Sequence, residues 1–541
     1  MSGIGLLRII TIAIAGLLLF AGRLRPLQSP KIRLVVRYAL AAFAIGHILF
    51  VAYLFVDHID FPLYLDLMEG TVLQHFERAA NFEPVYPEPS PQYVPLAYNP
   101  LFYVVSIPAG WVFGVNLFTL RLMAIVATIG IAALLYRIVW DRTRSHWWAS
   151  ITVGLLAAAY YVMDTYLDSA HSDSWFVFTA LLGSYIIGRN RSRAWNVVGV
   201  GVLVAAFWFK QHGALFCFGG VLFLTWREID NTTLRDGIRR AIPYWVTAAV
   251  FGPGLYIFGG RALFGPEFHY FTWEVPRNWS TLDFGTFYRF GMFVIRHYIV
   301  LAVAGGLLVL WIGLKERARL DIWHVQFVFA VLTGFMGTLD AGSADNVYIP
   351  MGVWFILVGT LALYELATRV SLTERYPAHL AALIVTFSLF LYDPQLVITS
   401  DDAPEKYDEL VEVLESLDTG LVYAPWQGQL PDGYRLYPGA HWVALEDMIR
   451  GPGRNKLNHP TIRRLLDPIV NPEEEAYILT NEPLDYYSWF RFLEDYYTLE
   501  QDFGTRFEDL RGLPKRFDHK YPRYLYRYAP EKAAASTPDE Q

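Results

Sequence analysis

The chain has 541 residues, of which 54% are hydrophobic and only 18% are charged, and its formal net charge is −7. A water-soluble protein carries about 25% charged residues because its surface needs a polar shell, so these figures exclude an ordinary soluble protein. The negative charge excludes nucleic acid as the main partner, and the single cysteine, Cys217, excludes an internal disulfide framework. The composition therefore predicts a protein that crosses a membrane several times.

The apolar residues fall into twelve runs of 15–22 residues, each nearly free of charge. A hydrocarbon core about 30 Å thick needs about 20 apolar residues in a helix, and most of the runs approach that length. They predict an α-helical polytopic membrane protein of about 12 spans in residues 1–392. The runs are 3–20, 35–56, 118–138, 147–164, 174–188, 195–209, 212–226, 242–259, 291–312, 322–339, 347–366 and 378–392.

The composition changes at Asp393. From there to the end the chain has 16 Lys and Arg against 28 Asp and Glu, a net charge of −12, while the preceding part has a net charge of +5. Hydrophobic patterns predict a helix at about 404–417 and strands at 421–426, 476–482 and 523–529. We therefore expect a soluble α/β domain over 393–529, followed by a disordered tail at 530–541.

The loops between the runs alternate in charge. One set holds about 20 Lys and Arg, and the opposite set holds about five. The positive-inside rule places the basic set in the cytoplasm. The other set, including a long first loop at about 57–117, and the acidic C-terminal domain are then extracytoplasmic. The apolar segment 101–114 is expected to lie on the outer surface, because a further span there would invert all later loops.

Two carboxylates stand close together in the first outer loop. Asp66 and Glu69, in the segment YLDLMEG, are three residues apart and share one face if the segment is helical. Such a pair can act as a general base or hold a metal ion. Acidic residues at a helix start also stabilise its N-terminus without any catalytic role. The spacing does not distinguish these roles.

A short outer loop carries three more titratable side chains. The segment YLDSAHSDSW places Asp168, His171 and Asp173 at the junction of two spans. Charged groups at membrane depth are costly, which indicates either function or pairing. Asp173 can instead cap the helix that follows it. The pattern leaves both interpretations open.

Lys210 lies between two apolar runs, next to Gln211, with almost no loop around it. Its ammonium group can bind a lipid-linked phosphate or extend to lipid headgroups. Binding is favoured because the outer loops hold so few other basic residues. Two further outer segments offer side chains to line a sugar- or phosphate-binding cavity, namely His269, Glu274, Arg277, Asp345, Asn346 and Tyr348.

The order of these motifs resembles that of the GT-C superfamily of membrane glycosyltransferases. Within it, the chain is most similar to bacterial relatives of the protein mannosyltransferase and aminoarabinose transferase family. An acidic DxxEG at 66–70 is followed by YNPLFY at 98–103, DSAHSD at 168–173 and Lys-Gln at 210–211. The similarity covers about residues 60–350.

Three positions depart from the family pattern. The two acids of the first loop are not adjacent, as they are in protein mannosyltransferases, so the resemblance does not say which of them is the base. Asn99 replaces the first proline of a Pro-Pro pair. His171 stands where relatives often carry arginine, which makes phosphate binding at that position dependent on pH.

The resemblance implies an integral membrane enzyme with an extracytoplasmic active site in a bacterial-type plasma membrane. It would transfer a sugar from a polyprenyl-phosphate donor to a hydroxyl of a cell-envelope glycan, lipid or protein. Asp66 or Glu69 would remove the acceptor proton, and a divalent metal ion is left open as a cofactor. The predicted donor-phosphate residues are Lys210, Gln211 and His171. The predicted substrate-binding residues are Tyr98, Asp168, Asp173, His269, Asn346 and Tyr348.

A transporter or flippase of lipid-linked sugars is the main alternative. Transporters tend to place charged groups at mid-bilayer on broken helices of repeated halves. In this sequence the acids lie near one surface, and no clear internal repeat is visible. A binding protein whose C-terminal domain carries the function is a third possibility, but the segment 425–434 shows no catalytic set. These observations favour a transferase.

Overall fold

A computed structural model gives the structure of the protein. It describes residues 3–19, 29–340, 342–369, 377–417, 421–428, 439–451, 455–457, 459–513 and 520–532. Most of the predicted tail at 530–541 lies outside the described residues. Helices fill the first two thirds of the chain, and the strands all lie in the last quarter.

The helices follow the apolar runs. In chain order they are α1 Gly3–Leu19, α2 Pro30–Ile59, α3 Glu69–Ala80, α4 Leu101–Phe113, α5 Leu117–Thr143, α6 His146–Ala158, α7 Asp173–Arg189, α8 Arg193–Phe209, α9 Gly213–Asp230, α10 Leu234–Ala249, α11 Leu255–Phe264, α12 Val275–Arg277, α13 Phe284–Phe293, α14 Ile299–Lys315, α15 Ile322–Thr338, α16 Ile349–Arg369, α17 Ala378–Leu389, α18 Ala403–Glu415, α19 Trp442–Ile449, α20 Pro460–Leu465 and α21 Asp467–Val470. The π-helical turns Val250–Gly254 and Val294–Tyr298 join α10 to α11 and α13 to α14.

Every one of the twelve predicted runs lies mainly in a helix, which confirms the prediction of a helical polytopic membrane protein. Five helical segments of the described chain are long and apolar enough to cross a bilayer. They are Pro30–Ile59, Leu117–Thr143, Leu234–Phe264, Phe284–Lys315 and Asp345–Arg369.

One predicted run ends early. The helix expected over 147–164 stops at Ala158, and the chain continues in tight turns up to α7. Two consecutive residues there, Asp164 and Thr165, adopt left-handed conformations with φ of 59° and 62°. A β-branched residue such as threonine is strained in that conformation. Apolar composition alone did not reveal this break, which brings Tyr166 and the residues after it into the interior.

The last quarter of the chain forms a four-stranded sheet. Its strands are β1 Leu421–Tyr423, β2 Ala476–Thr480, β3 Tyr497–Asp502 and β4 Tyr524–Tyr528, in the order β1-β2-β4-β3. Only β1 and β2 are parallel. The predicted helix and the three predicted strands are present, with shorter strands than expected. Strand β3 is an addition to the predicted elements; its residues are mostly exposed and polar, so they show no hydrophobic pattern.

The core of this sheet also contains part of the first loop. Phe61, Leu63, Tyr64 and Leu65 are buried together with residues of α18, β1 and β2. The Leu513 N–H donates a hydrogen bond to the Leu65 carbonyl at 2.7 Å. The first loop and the C-terminal part therefore share one hydrophobic core, although about 340 residues separate them along the chain.

Candidate functional site

Glu69, the first residue of α3, is fully buried and paired with the equally buried Arg121 of α5. Arg121 Nη2 lies 2.6 Å from Glu69 Oε2. The two carboxylate oxygens also accept hydrogen bonds from the backbone N–H groups of Leu65 at 2.7 Å and Ala170 at 2.6 Å. Arg121 Nη1 donates to the Phe61 carbonyl at 2.6 Å. Glu69 therefore ties the first loop to a membrane helix and to the loop before α7.

Asp66 occupies a different environment. Its Oδ1 accepts hydrogen bonds from His171 Nε2 at 2.6 Å and from the Met68 N–H at 2.9 Å. Its Oδ2 accepts a hydrogen bond from the Tyr166 hydroxyl at 2.8 Å. The sequence motifs at 66–70 and 168–173 thus meet in space, through Asp66 and His171.

Burial raises the pKa of Asp66, but the charge and hydrogen bond of His171 outweigh it and leave that pKa below its ordinary value. Burial lowers the pKa of His171, and the neighbouring Asp66 charge outweighs burial and raises it. Both shifts favour a carboxylate next to an imidazolium. Asp66 is therefore held in its ionised, proton-accepting form.

Both carboxylate oxygens of Asp168 are hydrogen-bonded to side chains of the protein. Its Oδ2 is 2.7 Å from His58 Nδ1, and its Oδ1 accepts a hydrogen bond from the Tyr160 hydroxyl at 2.7 Å. His58 Nε2 in turn contacts the Val397 carbonyl at 2.8 Å. Through His58 of α2, Asp168 is connected to the segment after α17, and each of its carboxylate oxygens has a hydrogen-bond partner. The structure thus places Asp168 away from the position expected of a substrate ligand.

Lys210 and Asp173 form a buried ion pair, with Nζ 2.7 Å from Oδ1. The Asn346 side-chain amide donates to Asp173 Oδ2 at 3.4 Å. The Lys210 ammonium also lies 5.7 Å from the centre of the Tyr98 ring. The structure therefore brings together four predicted site residues from four distant segments. Ser172, rather than Asp173, occupies the N-cap position of α7.

These four residues line a cavity of about 700 Å³. Gln211 also lines it, while its side-chain amide donates to the backbone carbonyls of Ala97 at 3.0 Å and Thr272 at 3.1 Å. Tyr166 reaches the cavity as well, whereas Asp66 lies behind it. A volume of this size fits a small organic ligand or the head of a larger one.

Among the other predicted residues, Arg277 lines this cavity, whereas Glu274, Asp345, His171, His269 and Tyr348 do not. His171 is turned toward Asp66. His269 contacts the Tyr256 carbonyl at 2.9 Å. Tyr348 stacks on Phe293, with ring centres 3.9 Å apart. For His269 and Tyr348, packing within the helical part explains the position better than substrate binding.

The C-terminal part supplies much of the cavity lining. We call Trp442, Glu446, Asp447, Arg450 and Lys456 the C-terminal wall, since all five line the cavity. Arg450 Nη2 lies 2.5 Å from Asp447 Oδ1, and Arg450 Nη1 lies 3.5 Å from Asp340 Oδ1. Lys456 Nζ lies 3.0 Å from Glu446 Oε1. Burial raises the pKa of Asp447 to about 7.

The acids of the first loop do not form a metal site. Asp66 faces His171 and Glu69 faces Arg121, so their carboxylates are committed to different partners. Among the residues that the structure describes, no group of three His, Cys, Asp or Glu side chains could hold a metal ion. The donor set therefore does not fit the metal-ligand interpretation of the motif.

Two solved structures resemble the whole chain. One is ArnT from Cupriavidus metallidurans in the apo state, with 14% identity and a TM-score of 0.51, covering 91% of this chain and 99% of that one. The other is the same protein bound to undecaprenyl phosphate, with 12% identity and a TM-score of 0.50. That match covers 92% of this chain and 98% of the other one. The chain has the fold of ArnT. No protein-family profile matches the sequence, and no curated protein matches it.

The likeness to ArnT agrees with the predicted fold, a helical polytopic membrane protein with a C-terminal α/β part. The match also extends beyond the membrane helices. Residues 393–541 make up more than a quarter of the chain, so a likeness covering 91% includes much of the C-terminal part.

Gly70, the last residue of the DxxEG motif, lies against the C-terminal part. A Cβ atom there would overlap the Gln427 carbonyl oxygen, which is backbone and has no side-chain freedom to move. We expect Gly70→Ala to lower the free energy of unfolding by about 1–3 kcal/mol, the usual cost of overpacking. Thermal unfolding of the purified protein measures this. Gly201→Ala in α8 is the control, since no atom lies within 4 Å of its added methyl; equal melting points for both variants would contradict the expectation.

Proposed function

We propose that the chain transfers a sugar from a polyprenyl-phosphate donor to an acceptor hydroxyl. The observation that carries the proposal is the buried Lys210–Asp173 pair in a cavity of about 700 Å³ within an ArnT fold. One structure with this fold is bound to undecaprenyl phosphate. A buried ammonium group beside a cavity suits a phosphate of that kind.

The donor phosphate would bind at Lys210. An ammonium group has three N–H donors, and Asp173 takes one of them. The others can hold phosphate oxygens. Gln211 lines the cavity next to Lys210, but its amide donates to the Ala97 and Thr272 carbonyls, so its role is to support the site rather than to bind the phosphate. Phe176, Met336 and Pro350 give part of the cavity an apolar lining, which suits an isoprenoid chain.

Asp66 would act as the base, with the Tyr166 hydroxyl between it and the cavity. As the acceptor oxygen bonds to the anomeric carbon, the bond from that carbon to the phosphate oxygen breaks. The acceptor proton passes to the Tyr166 oxygen, and the Tyr166 proton passes to Asp66 Oδ2, 2.8 Å away. Lys210 stabilises the charge that develops on the departing phosphate. His171 keeps Asp66 ionised and oriented.

Glu69 is a less suitable base than Asp66. Arg121 and two backbone N–H groups occupy its oxygens, and it does not line the cavity. Protonating it would cost the buried Arg121 its counter-charge. Its role in this proposal is to position the loop that carries Asp66.

The cavity would face the extracytoplasmic side. α7 begins at the cavity with Asp173 and ends at Arg189, within one of the basic loops. The positive-inside rule places those loops in the cytoplasm, which puts the cavity and the C-terminal part outside.

Binding of undecaprenyl phosphate to the full chain in lipid nanodiscs tests the donor site. We expect Lys210→Gln to weaken binding at least about tenfold, the loss of one charge-assisted contact. Since that change leaves Asp173 without its counter-ion, the double variant Lys210→Gln/Asp173→Asn and the charge-preserving Lys210→Arg are measured too. The double variant should bind weakly and Lys210→Arg should keep binding.

The control for the donor site is Lys406→Gln in α18, which breaks a partly exposed lysine–carboxylate pair far along the sequence. Undecaprenyl phosphate binding that survives in Lys210→Gln and its double variant would refute the donor site. A panel of polyprenyl-phosphate sugars, incubated with membrane acceptors, then tests transfer. Movement of the lipid across vesicles without transfer of any sugar would instead support a transporter.

A further inference from the structure

The cavity has two chemically different sides. The helical part supplies Lys210, Asp173 and Tyr98, and the C-terminal wall faces them. Burial raises the pKa of Tyr98, and the negative charges of Asp447, Asp173 and Asp340 raise it further. Tyr98 therefore lies close to the acids of both sides, Asp173 on the helical side and Asp447 on the C-terminal wall. The proposed donor site uses only the helical side, so the C-terminal wall has no role in it.

Paired charges and flat aromatic rings make up the C-terminal wall and its surroundings. Arg450 bridges Asp447 and Asp340, while its guanidinium lies 4.8 Å from the centre of the Trp279 ring. Trp442 is stacked with Tyr487, which also lines the cavity; the ring centres are 5.0 Å apart and the ring planes form an angle of 24°. Aromatic faces and fixed polar groups together contact the C–H and O–H groups of a sugar ring.

An anionic ligand would compete with carboxylates that are already in place. The cations of Arg450 and Lys456 are each paired with a carboxylate, from Asp340, Glu446 and Asp447, and Arg277 also lines the cavity. A phosphate placed there would compete with these carboxylates for the same cations, and like charges repel at close range. Uncharged hydroxyl groups can both donate to the carboxylates and accept from the cations.

We propose that the C-terminal wall binds an uncharged saccharide, which is the acceptor of the transfer. The inference rests on the proposed function, because it takes the helical side of the cavity to be the donor site. It places the acceptor hydroxyl between the wall and Tyr166. The C-terminal part thereby selects the acceptor, while the membrane helices hold the donor.

Binding of two probes to the full chain in nanodiscs tests this inference. The first probe is a panel of uncharged tetrasaccharides together with their phosphorylated counterparts, and the second is undecaprenyl phosphate. The double variant Glu446→Gln/Lys456→Gln removes one ion pair of the wall without leaving an unpaired charge. We expect it to bind the saccharide at least about tenfold more weakly and to bind undecaprenyl phosphate unchanged.

The control is Lys406→Gln/Glu409→Gln, which removes a partly exposed pair in α18, with atoms 2.9 Å apart, together with the contact between Glu409 and Arg506. It should leave both affinities unchanged. The inference is overturned if no uncharged saccharide binds, if phosphorylated saccharides bind more tightly, or if the wall variant keeps wild-type saccharide affinity. If the wild-type chain does not bind undecaprenyl phosphate, the donor site fails instead, which is a separate result.

Discussion

Replacing Asp66 by asparagine is expected to reduce sugar transfer by a factor of about 10²–10⁴, the usual contribution of a general base. Asparagine keeps the size of the side chain and can still contact His171 and Tyr166, but it cannot take up a proton. Because Asp66 does not line the cavity, undecaprenyl phosphate binding should be unchanged. Initial rates with saturating donor measure the effect.

Asp60→Asn is the matched control, since Asp60 is an exposed residue at the start of the same loop. It should keep wild-type activity. Tyr166→Phe tests whether the proton passes through the hydroxyl: the variant should lose activity to a similar extent as Asp66→Asn. Full activity in Asp66→Asn would exclude Asp66 as the base, and full activity in Tyr166→Phe would show that the acceptor reaches Asp66 directly.

Arg121→Gln should have the largest effect on stability. It leaves Glu69 fully buried without its counter-charge, which typically costs 3–5 kcal/mol. It also removes the donors that hold the Phe61 and Leu63 carbonyls, so the first loop loses its attachment to α5. We expect a strongly lowered melting temperature and poor recovery of the folded protein from membranes.

The double variant Arg121→Gln/Glu69→Gln distinguishes the cost of an unpaired buried charge from the cost of the lost hydrogen bonds. It removes the unpaired charge, so it should melt at a higher temperature than Arg121→Gln alone. Arg142→Gln, which breaks an ion pair with Asp321 at a 46% exposed side chain, is the control and should cost less than about 1 kcal/mol. A melting temperature for Arg121→Gln equal to that of Arg142→Gln would contradict the structural role of the Glu69–Arg121 pair.

Much of the fold could be predicted from the sequence because spans need long apolar segments, and these are visible without a structure. Lys210 and Asp173 could also be predicted as candidate site residues, since both lie between apolar runs near one surface, but their pairing could not. Arg121, which lies within the run 118–138, was not predicted as a functional or structural residue. A single arginine in such a run is a signal for a buried partner, and here that partner is Glu69.

Other residues of the site could not be recognised from the sequence pattern around them. Asp447 lies in the last turn of α19, and Arg450, three residues later, is the C-cap residue of that helix. This spacing is common on solvated helices, and only the tertiary fold brings the two side chains close to Tyr98. Asp168 shows the reverse case. Its sequence context predicts a site residue, and the sequence gives no sign that His58 and Tyr160 contact its carboxylate.

The burial of Phe61, Leu63, Tyr64 and Leu65 in the C-terminal core has a consequence for the timing of synthesis. A ribosome adds about 5–20 residues per second, so the partners of this segment in α18 and the sheet are made roughly 20–90 s later. Until then the segment that leads into Asp66 has no core to join. The arrangement of the first loop around Asp66 can therefore form only after translation has nearly finished, and a chain that lacks the C-terminal part should not acquire it.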